Sequence, residues 1–133
     1  MAHIWNEVLD DCLKWHRETF SEDKCSHESQ LLKLNEELKE MREALEKEKS
    51  FDNYIKEVVD VLIVSYVLSV RYEDEVGAFV FSEVEKNITL HWPELKPKIR
   101  DAIKEKLEVN KKRFWIFEDG KYHHMEEVKN ALQ

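Results

Sequence analysis

Few residues in this chain are able to end a helix. Its 133 residues include only two glycines and two prolines, which leaves little room for the many tight turns of an all-β fold. Charged residues make up 38% of the sequence, and such a composition favours long amphipathic helices with solvated faces. The length suits one domain spanning residues 1–133. The sequence therefore predicts a single all-α domain.

Apolar residues at helical spacing divide the chain into five predicted helices, which span about residues 2–20, 28–49, 53–71, 76–88 and 97–112. Ser26 is the predicted N-cap of the second helix, and Ser50 or Asp52 that of the third. A charged turn is expected over residues 73–77, and Pro97 suits the first turn of the fifth helix. We expect these helices to form an antiparallel bundle.

Aromatic and β-branched residues follow the fifth predicted helix. The segment Phe114-Trp115-Ile116-Phe117 precedes the dipeptide Asp119-Gly120, which is typical of hairpin turns, and then Tyr122-His123. We predict a short C-terminal hairpin or an ordered aromatic tail here. A last helical turn or two is expected over residues 125–132.

The third predicted helix contains the most apolar stretch, residues 58–70. This stretch is well short of the ~20 apolar residues that a membrane span needs, so we expect a core helix and no membrane association. A helix that is apolar on nearly every side must be covered all round. Because so short a chain has few other helices, we expect partial burial at a subunit interface, in a homodimer or homotetramer.

The acidic balance limits the partners of this protein. A net charge of −8 argues against DNA or RNA binding, because no basic excess is available to neutralise a phosphate backbone. A small anionic substrate is compatible with this charge if a divalent cation screens the carboxylates. Cys12 and Cys25 are too few for a disulfide framework, so we expect reduced thiols and a cytoplasmic location.

Two pairs of acidic residues have a spacing that suggests a metal site. Glu37 and Glu40 lie three residues apart, as do Glu57 and Asp60, so each pair projects from adjacent turns on one side of a helix. Like charges at this spacing repel, whereas a hard divalent cation such as Mg²⁺ binds carboxylate oxygens. Taken alone, the first pair also fits a solvated helix face, and the adjacent Glu36 points further from the apolar stripe.

Asp60 carries more weight because nearly all of its neighbours are apolar. An ionised carboxylate buried without a partner would cost several kcal/mol, so a cation must lie nearby. Lys56 and Arg71 are possible partners in a structural ion pair. A metal shared with Glu37 and Glu40 across an antiparallel helix pair is the alternative. A di-iron bundle is disfavoured, because no histidine lies three residues after a candidate ligand.

These motifs resemble those of a known family. Glu36-Glu37-Leu38-Lys39-Glu40 and Glu57-Val58-Val59-Asp60 are similar to the Glu-Glu-x-x-Glu and Glu-x-x-Asp patterns of the all-α nucleoside triphosphate pyrophosphohydrolases. This MazG-like superfamily also contains the dimeric dUTPases and the phosphoribosyl-ATP pyrophosphohydrolases. Segments 15–20 and 106–113 resemble the phage and bacterial members that act on deoxynucleotides. The resemblance covers about residues 5–124, but residues 76–97 match nothing in the family pattern.

The resemblance implies a Mg²⁺-dependent enzyme, with Mn²⁺ as a possible substitute, that converts a nucleoside or deoxynucleoside triphosphate to a monophosphate and pyrophosphate. It implies Glu37, Glu40, Glu57 and Asp60 as metal ligands, with Glu36 as a further ligand or a base. The metal would bind the triphosphate and lower the pKa of the water that attacks the α–β linkage. Base and sugar preference stay open.

The resemblance also implies residues that contact the substrate: Lys33, Lys106, Asn110, Lys111, Arg113, Trp115 and His123. A basic helix end is the alternative explanation for the cationic members of this set. Candidates for stacking on the base are Trp15, Phe20, Trp115 and Tyr122, although aromatic residues at helical spacing more often belong to a core. His123 and His124, after the Asp119-Gly120 dipeptide, are candidates for a phosphate contact or for closing the site. The remaining histidines, His3, His16, His27 and His91, are expected at the surface or at helix caps.

A second hypothesis belongs to a different class of protein. The chain is then a non-catalytic helical adaptor or oligomerisation module that docks through its apolar third helix. This hypothesis accounts for the amphipathic pattern and the acidic charge. It gives no reason for an aspartate at position 60.

Overall fold

The computed structural model describes residues 4–48, 51–119 and 121–124. Within these ranges the chain forms five α-helices, namely α1 (Asn6–Thr19), α2 (His27–Glu43), α3 (Phe51–Arg71), α4 (Glu75–His91) and α5 (Lys96–Lys112). Two antiparallel strands follow, β1 (Trp115–Glu118) and β2 (Lys121–His124). The predicted all-α bundle with a short C-terminal hairpin is confirmed. The helix predicted over residues 125–132 lies outside the described residues.

Local signals account for the helix ends. The backbone N–H of Ser29 donates to the Ser26 hydroxyl at 3.1 Å, which confirms the predicted N-cap of α2. A π-helical segment, Ala44–Glu48, extends this helix, and the sequence did not indicate it. Because α3 begins at Phe51, Asp52 lies in its first turn instead of capping it. The alternative cap Ser50 is outside the described residues.

The start of α4 differs from the prediction. Asp74 is its N-cap and accepts a hydrogen bond of 2.8 Å from the Gly77 N–H, so Gly77 belongs to the first turn of the helix and not to the preceding turn. A Cβ atom added at Gly77 would lie 2.6 Å from the Cβ of Leu68. Glycine at this position therefore permits α4 to approach α3 closely.

Each helix runs antiparallel to the next along the chain. Ion pairs join Lys98 to Asp52 at 3.3 Å and Lys106 to Asp60 at 3.6 Å, so α5 is parallel to α3. Both α2 and α4 pack against α3, and each begins beside the C-terminal end of α3, so both run in the opposite direction to it. This arrangement puts α3 at the centre of the bundle, where acidic residues of α2 and basic residues of α5 are able to reach it.

The apolar helix α3 is covered by its own chain, since α1, α2, α4 and α5 all pack against it. The core includes the fully buried side chains of Trp5, Leu9, Leu62, Leu68, Ile99 and Ile103. Our expectation that too few helices are available to surround α3 is therefore wrong. Of the described large apolar side chains on α3, Val70 is the exposed one. None of the described helices combines the length and apolar character that a membrane span requires.

Arg71 connects the end of α3 to the end of α1. Its guanidinium donates to the carbonyl oxygens of Phe20, at 2.6 Å, and His16, at 3.2 Å. It also donates to Nδ1 of His16 at 2.6 Å. Burial, and then the charge of Arg71, lower the pKa of His16 to about 3, so the ring is neutral and able to accept. The prediction that His16 is an ordinary surface or capping residue is wrong, because its side chain is buried.

We expect Arg71→Lys to destabilise the protein by about 1–3 kcal/mol, because an ammonium group cannot reproduce the planar fork and leaves buried acceptors unpaired. Chemical denaturation monitored by circular dichroism measures this loss. Arg42→Lys is the matched control, since Arg42 is exposed on α2, and its effect should stay within about 0.5 kcal/mol. Equal stability of the two variants would contradict the role given to Arg71.

Candidate metal centre

The antiparallel pairing of α2 and α3 brings three of the four predicted metal ligands together. One carboxylate oxygen from each of Glu37, Glu40 and Glu57 lies within 4.8 Å of the other two. Glu37 is buried, Glu57 is half-buried and Glu40 is exposed, so this carboxylate cluster opens toward solvent on the Glu40 side. Helical spacing sets each position, and the crossing of the two helices sets the distance between them.

Two oxygens of the carboxylate cluster have no hydrogen-bond donor within the described part of the chain. Glu37 is only 5% exposed, and its Oε1 is 3.0 Å from the Nζ of Lys33. Among the described residues, Oε2 of Glu37 and Oε2 of Glu57 are buried without a hydrogen-bond partner. Buried polar atoms are normally paired, so these oxygens require a cation or a proton. An all-oxygen donor set fits Mg²⁺ or Mn²⁺.

Proximity of the carboxyl groups changes their protonation. Burial, followed by the charges of Asp60, Glu40 and Glu37, raises the pKa of Glu57 to about 7. Burial and then the charge of Glu37 also raise the pKa of Glu40, whose carboxyl group is in hydrogen-bond contact with that of Glu57. At neutral pH the carboxylate cluster alone therefore retains part of a proton, which a divalent cation would replace.

Asp60, the fourth predicted ligand, lies one turn after Glu57 and has a different neighbour. Its Oδ1 is 3.6 Å from the Nζ of Lys106 on α5. Burial raises the pKa of Asp60 and the charge of Lys106 opposes that effect, with a net increase. Asp60 thus has a basic partner, but it is neither of the two that were considered as possible, because Lys56 is exposed and Arg71 binds the end of α1. No sequence signal pairs Asp60 with a helix so distant along the chain.

Glu36 is exposed on α2 and is not one of the three converging carboxylates. Its proposed role as a ligand or base stays a prediction. The predicted substrate residues Lys33 and Lys106 do lie beside the acidic groups, through their contacts with Glu37 and Asp60. Burial lowers the pKa of Lys33, but the charge and hydrogen bond of Glu37 and the charges of Glu36 and Asp60 together raise it, so Lys33 is cationic. Lys33 and Lys106 thus lie on two different sides of the acidic groups.

The other predicted substrate residues meet where α5 joins the hairpin. The side-chain oxygen of Asn110 accepts a hydrogen bond of 3.2 Å from Arg113, and the backbone carbonyl oxygen of Asn110 accepts one of 3.1 Å from the Trp115 indole. Lys111 is 3.6 Å from Glu108, and His123 pairs with Ile116 across the hairpin. The structure therefore places Lys33 and Lys106 beside the acidic groups, and the other five predicted substrate residues at the C-terminal end of α5 and in the hairpin.

The four aromatic residues predicted to stack on a base pack against one another. Ring centroids are separated by 4.5 Å for Phe20 and Tyr122, 5.2 Å for Phe20 and Trp115, and 5.9 Å for Trp15 and Trp115. These contacts attach the hairpin to the C-terminal end of α1 and stabilise both elements. A base-stacking role for these rings stays a prediction.

The three converging carboxylates form a set of oxygen donors, and Lys33 and Lys106 lie beside Glu37 and Asp60 at its edges. Oxygen donors of this kind are the ligands that hard divalent cations prefer. The site lies between two antiparallel helices, and a third helix, α5, supplies one of the lysines.

Comparison of the chain with protein-family models, with curated proteins and with solved structures finds no match.

Proposed function

We propose that this protein is a Mg²⁺-dependent nucleoside triphosphate pyrophosphohydrolase, which converts a nucleoside or deoxynucleoside triphosphate to a monophosphate and pyrophosphate. The observation that carries the proposal is the buried carboxylate of Glu37. One of its oxygens has no hydrogen-bond partner among the described residues, and two further carboxylates converge on it. The choice of a nucleoside triphosphate as substrate rests on the resemblance of the two acidic motifs to the MazG-like superfamily.

The residues of the site have complementary roles in this proposal. Glu37, Glu40 and Glu57 would hold Mg²⁺, with Asp60 one turn away as the fourth ligand. A bound Mg²⁺ supplies positive charge to the triphosphate and lowers the pKa of a bound water. Lys33 and Lys106 place positive charge at two edges of the carboxylates, where they are able to neutralise phosphate oxygens.

The adaptor hypothesis has less support, because it placed the docking surface on the third helix. Four other helices pack against that helix in the folded chain. Val70 is the exposed large apolar side chain among those described on α3, and other exposed apolar side chains include Leu32 on α2 and Val76 and Phe79 on α4. A helical adaptor also requires no convergence of carboxylates.

The proposal is tested by incubating the protein with each of the eight common nucleoside and deoxynucleoside triphosphates, with and without Mg²⁺ or Mn²⁺. Anion-exchange chromatography then resolves the products. We expect equal amounts of monophosphate and pyrophosphate, only when metal is present. Release of orthophosphate and a diphosphate would assign a different reaction, and no turnover of any of the eight would remove support for these substrates.

Variants connect this reaction to the carboxylate cluster. We expect Glu40→Ala and Asp60→Ala to abolish turnover while the proteins keep their helical circular dichroism spectrum. Glu28→Gln is the matched control, because Glu28 is exposed on α2 near its first turn and away from the carboxylate cluster. Full activity in both alanine variants would contradict the proposal.

A further inference from the structure

Lys106 and Asp60 form an ion pair that connects two helices at the edge of the carboxylate cluster. Their Nζ and Oδ1 atoms are 3.6 Å apart, and the two side chains are 36% and 23% exposed. Asp60 is one helical turn from Glu57, yet it is not among the three carboxylates that converge. Its carboxylate is therefore neutralised by an ammonium group, whereas Oε2 of Glu57 has no hydrogen-bond partner among the described residues.

We propose that Lys106 is an exchangeable counter-ion, which neutralises Asp60 in the metal-free protein and leaves it when Asp60 binds a divalent cation. The released ammonium group then faces the phosphate groups that accompany that cation. This inference rests on the proposed function, since it requires a metal ion at the carboxylate cluster. Lys106 then couples the binding of the metal to the binding of phosphate.

The geometry favours exchange at Lys106 over exchange at Lys33. Lys33 contacts Glu37 at 3.0 Å within one helix, where the spacing of four residues maintains the pair. Lys106 reaches Asp60 from α5, at a longer distance and from a partly solvated position. A lysine is a point charge on a flexible stem of four carbons, so its ammonium group is able to move between a carboxylate and a nearby phosphate without a change in the backbone.

The exchange requires a site that binds a cation. The carboxylate of Glu37 indicates such a site, because it is 5% exposed and its Oε2 has no hydrogen-bond partner among the described residues. The Lys33 contact satisfies only Oε1. The carboxylate cluster with both lysines in place is thus still short of positive charge.

The exchange predicts that replacement of Lys106 changes the affinity for Mg²⁺ and the affinity for pyrophosphate in opposite directions. Lys106→Met removes the group that competes for Asp60, so Mg²⁺ should bind about fivefold more tightly, the effect of one partly solvated ion pair. The same substitution removes a phosphate contact, so pyrophosphate should bind about tenfold more weakly in the presence of Mg²⁺. If Lys106 had only a structural role, its loss would weaken both affinities, because it would disturb the packing of α5 on α3.

Isothermal titration calorimetry on the full chain measures both affinities, first with Mg²⁺ alone and then with pyrophosphate at saturating Mg²⁺. Lys104→Met is the matched control, since Lys104 is an exposed lysine of the same helix, and it should change neither affinity by more than about twofold. Lys106→Gln repeats the test with a polar side chain in case the methionine variant folds poorly.

The outcomes separate this inference from the proposed function. Tighter binding of Mg²⁺ together with weaker binding of pyrophosphate in the Lys106 variants supports the exchange. Wild-type protein that binds Mg²⁺, with Lys106 variants whose two affinities fall together or do not change, overturns the exchange and leaves the proposed function intact. Wild-type protein that binds no Mg²⁺ overturns both.

Discussion

Glu57→Gln should stabilise the metal-free protein and abolish its response to Mg²⁺. In the metal-free state the substitution removes one of three repelling carboxylates that lie within 4.8 Å of one another. In the presence of Mg²⁺ it removes a ligand. Since the loss of a group that only orients a metal ligand typically costs 10–100-fold, we expect turnover to fall by at least about 100-fold. Thermal unfolding with and without Mg²⁺, together with product chromatography, measures both effects.

The pH dependence of stability provides an independent test of the same residue. The pKa of Glu57 is raised from 4.5 to about 7 in the folded protein, so the folded state binds the proton more tightly than the unfolded state does. Its contribution to stability is complete below about pH 4.5 and is lost as the pH rises through about 7. The metal-free wild type should therefore lose thermal stability across this range, and Glu57→Gln should lose less.

Saturating Mg²⁺ should oppose this loss in the wild type and have little effect in the variant. Glu36→Gln serves as the control for stability, because Glu36 is exposed on α2 outside the converging carboxylates. It should unfold as the wild type does, to within about 0.5 kcal/mol. If the thermal stability of the metal-free wild type and that of Glu57→Gln depend on pH in the same way, the pKa of Glu57 is not raised in the folded protein as described.

Gly77→Ala should destabilise the protein although alanine is the better helix former. Helix propensity alone favours alanine by about 1 kcal/mol. The added Cβ, however, would lie 2.6 Å from the Leu68 Cβ and 3.0 Å from the Ser65 carbonyl oxygen. Leu68 is fully buried, so relief requires α4 to move away from α3. We expect a net loss of about 1–3 kcal/mol, or about 4–10 °C in the unfolding temperature.

Ser82→Ala separates propensity from packing in this experiment. Ser82 is exposed on the same helix, so alanine there should leave stability unchanged or raise it by up to about 0.5 kcal/mol. Gly77→Val, which adds a branched side chain at the same contact, should lose more than Gly77→Ala does. A gain in stability for Gly77→Ala would mean that α3 and α4 are not in close contact at this point.

The five helices were predictable because their signals are local. The apolar spacing that predicted α3 over residues 53–71 depends on neighbours within a few positions, and the helix observed is Phe51–Arg71. The Ser26 cap and the hairpin that the dipeptide Asp119-Gly120 predicted are likewise properties of short segments. The π-helical segment Ala44–Glu48 has no such local signal and was missed.

Part of the candidate site was predictable for the same reason. Glu37 and Glu40, like Glu57 and Asp60, are placed on one side of a helix by their spacing alone. The antiparallel connection between the two helices then leads to the expectation that the pairs meet. Three of these carboxylates converge, whereas Asp60 is drawn toward Lys106 by the position of α5.

Periodicity and capping act between residues close along the chain, so the helices, their order and the two acidic motifs were predictable from the order of the residues. The packing of the helices was needed to show that α3 is enclosed by its own chain, that Arg71 binds the end of α1 and that Gly77 is a contact between helices. Each of these depends on which helix faces meet and at what distance. The same packing leaves an oxygen of Glu37 buried without a partner among the described residues, and that oxygen is where a cation is expected.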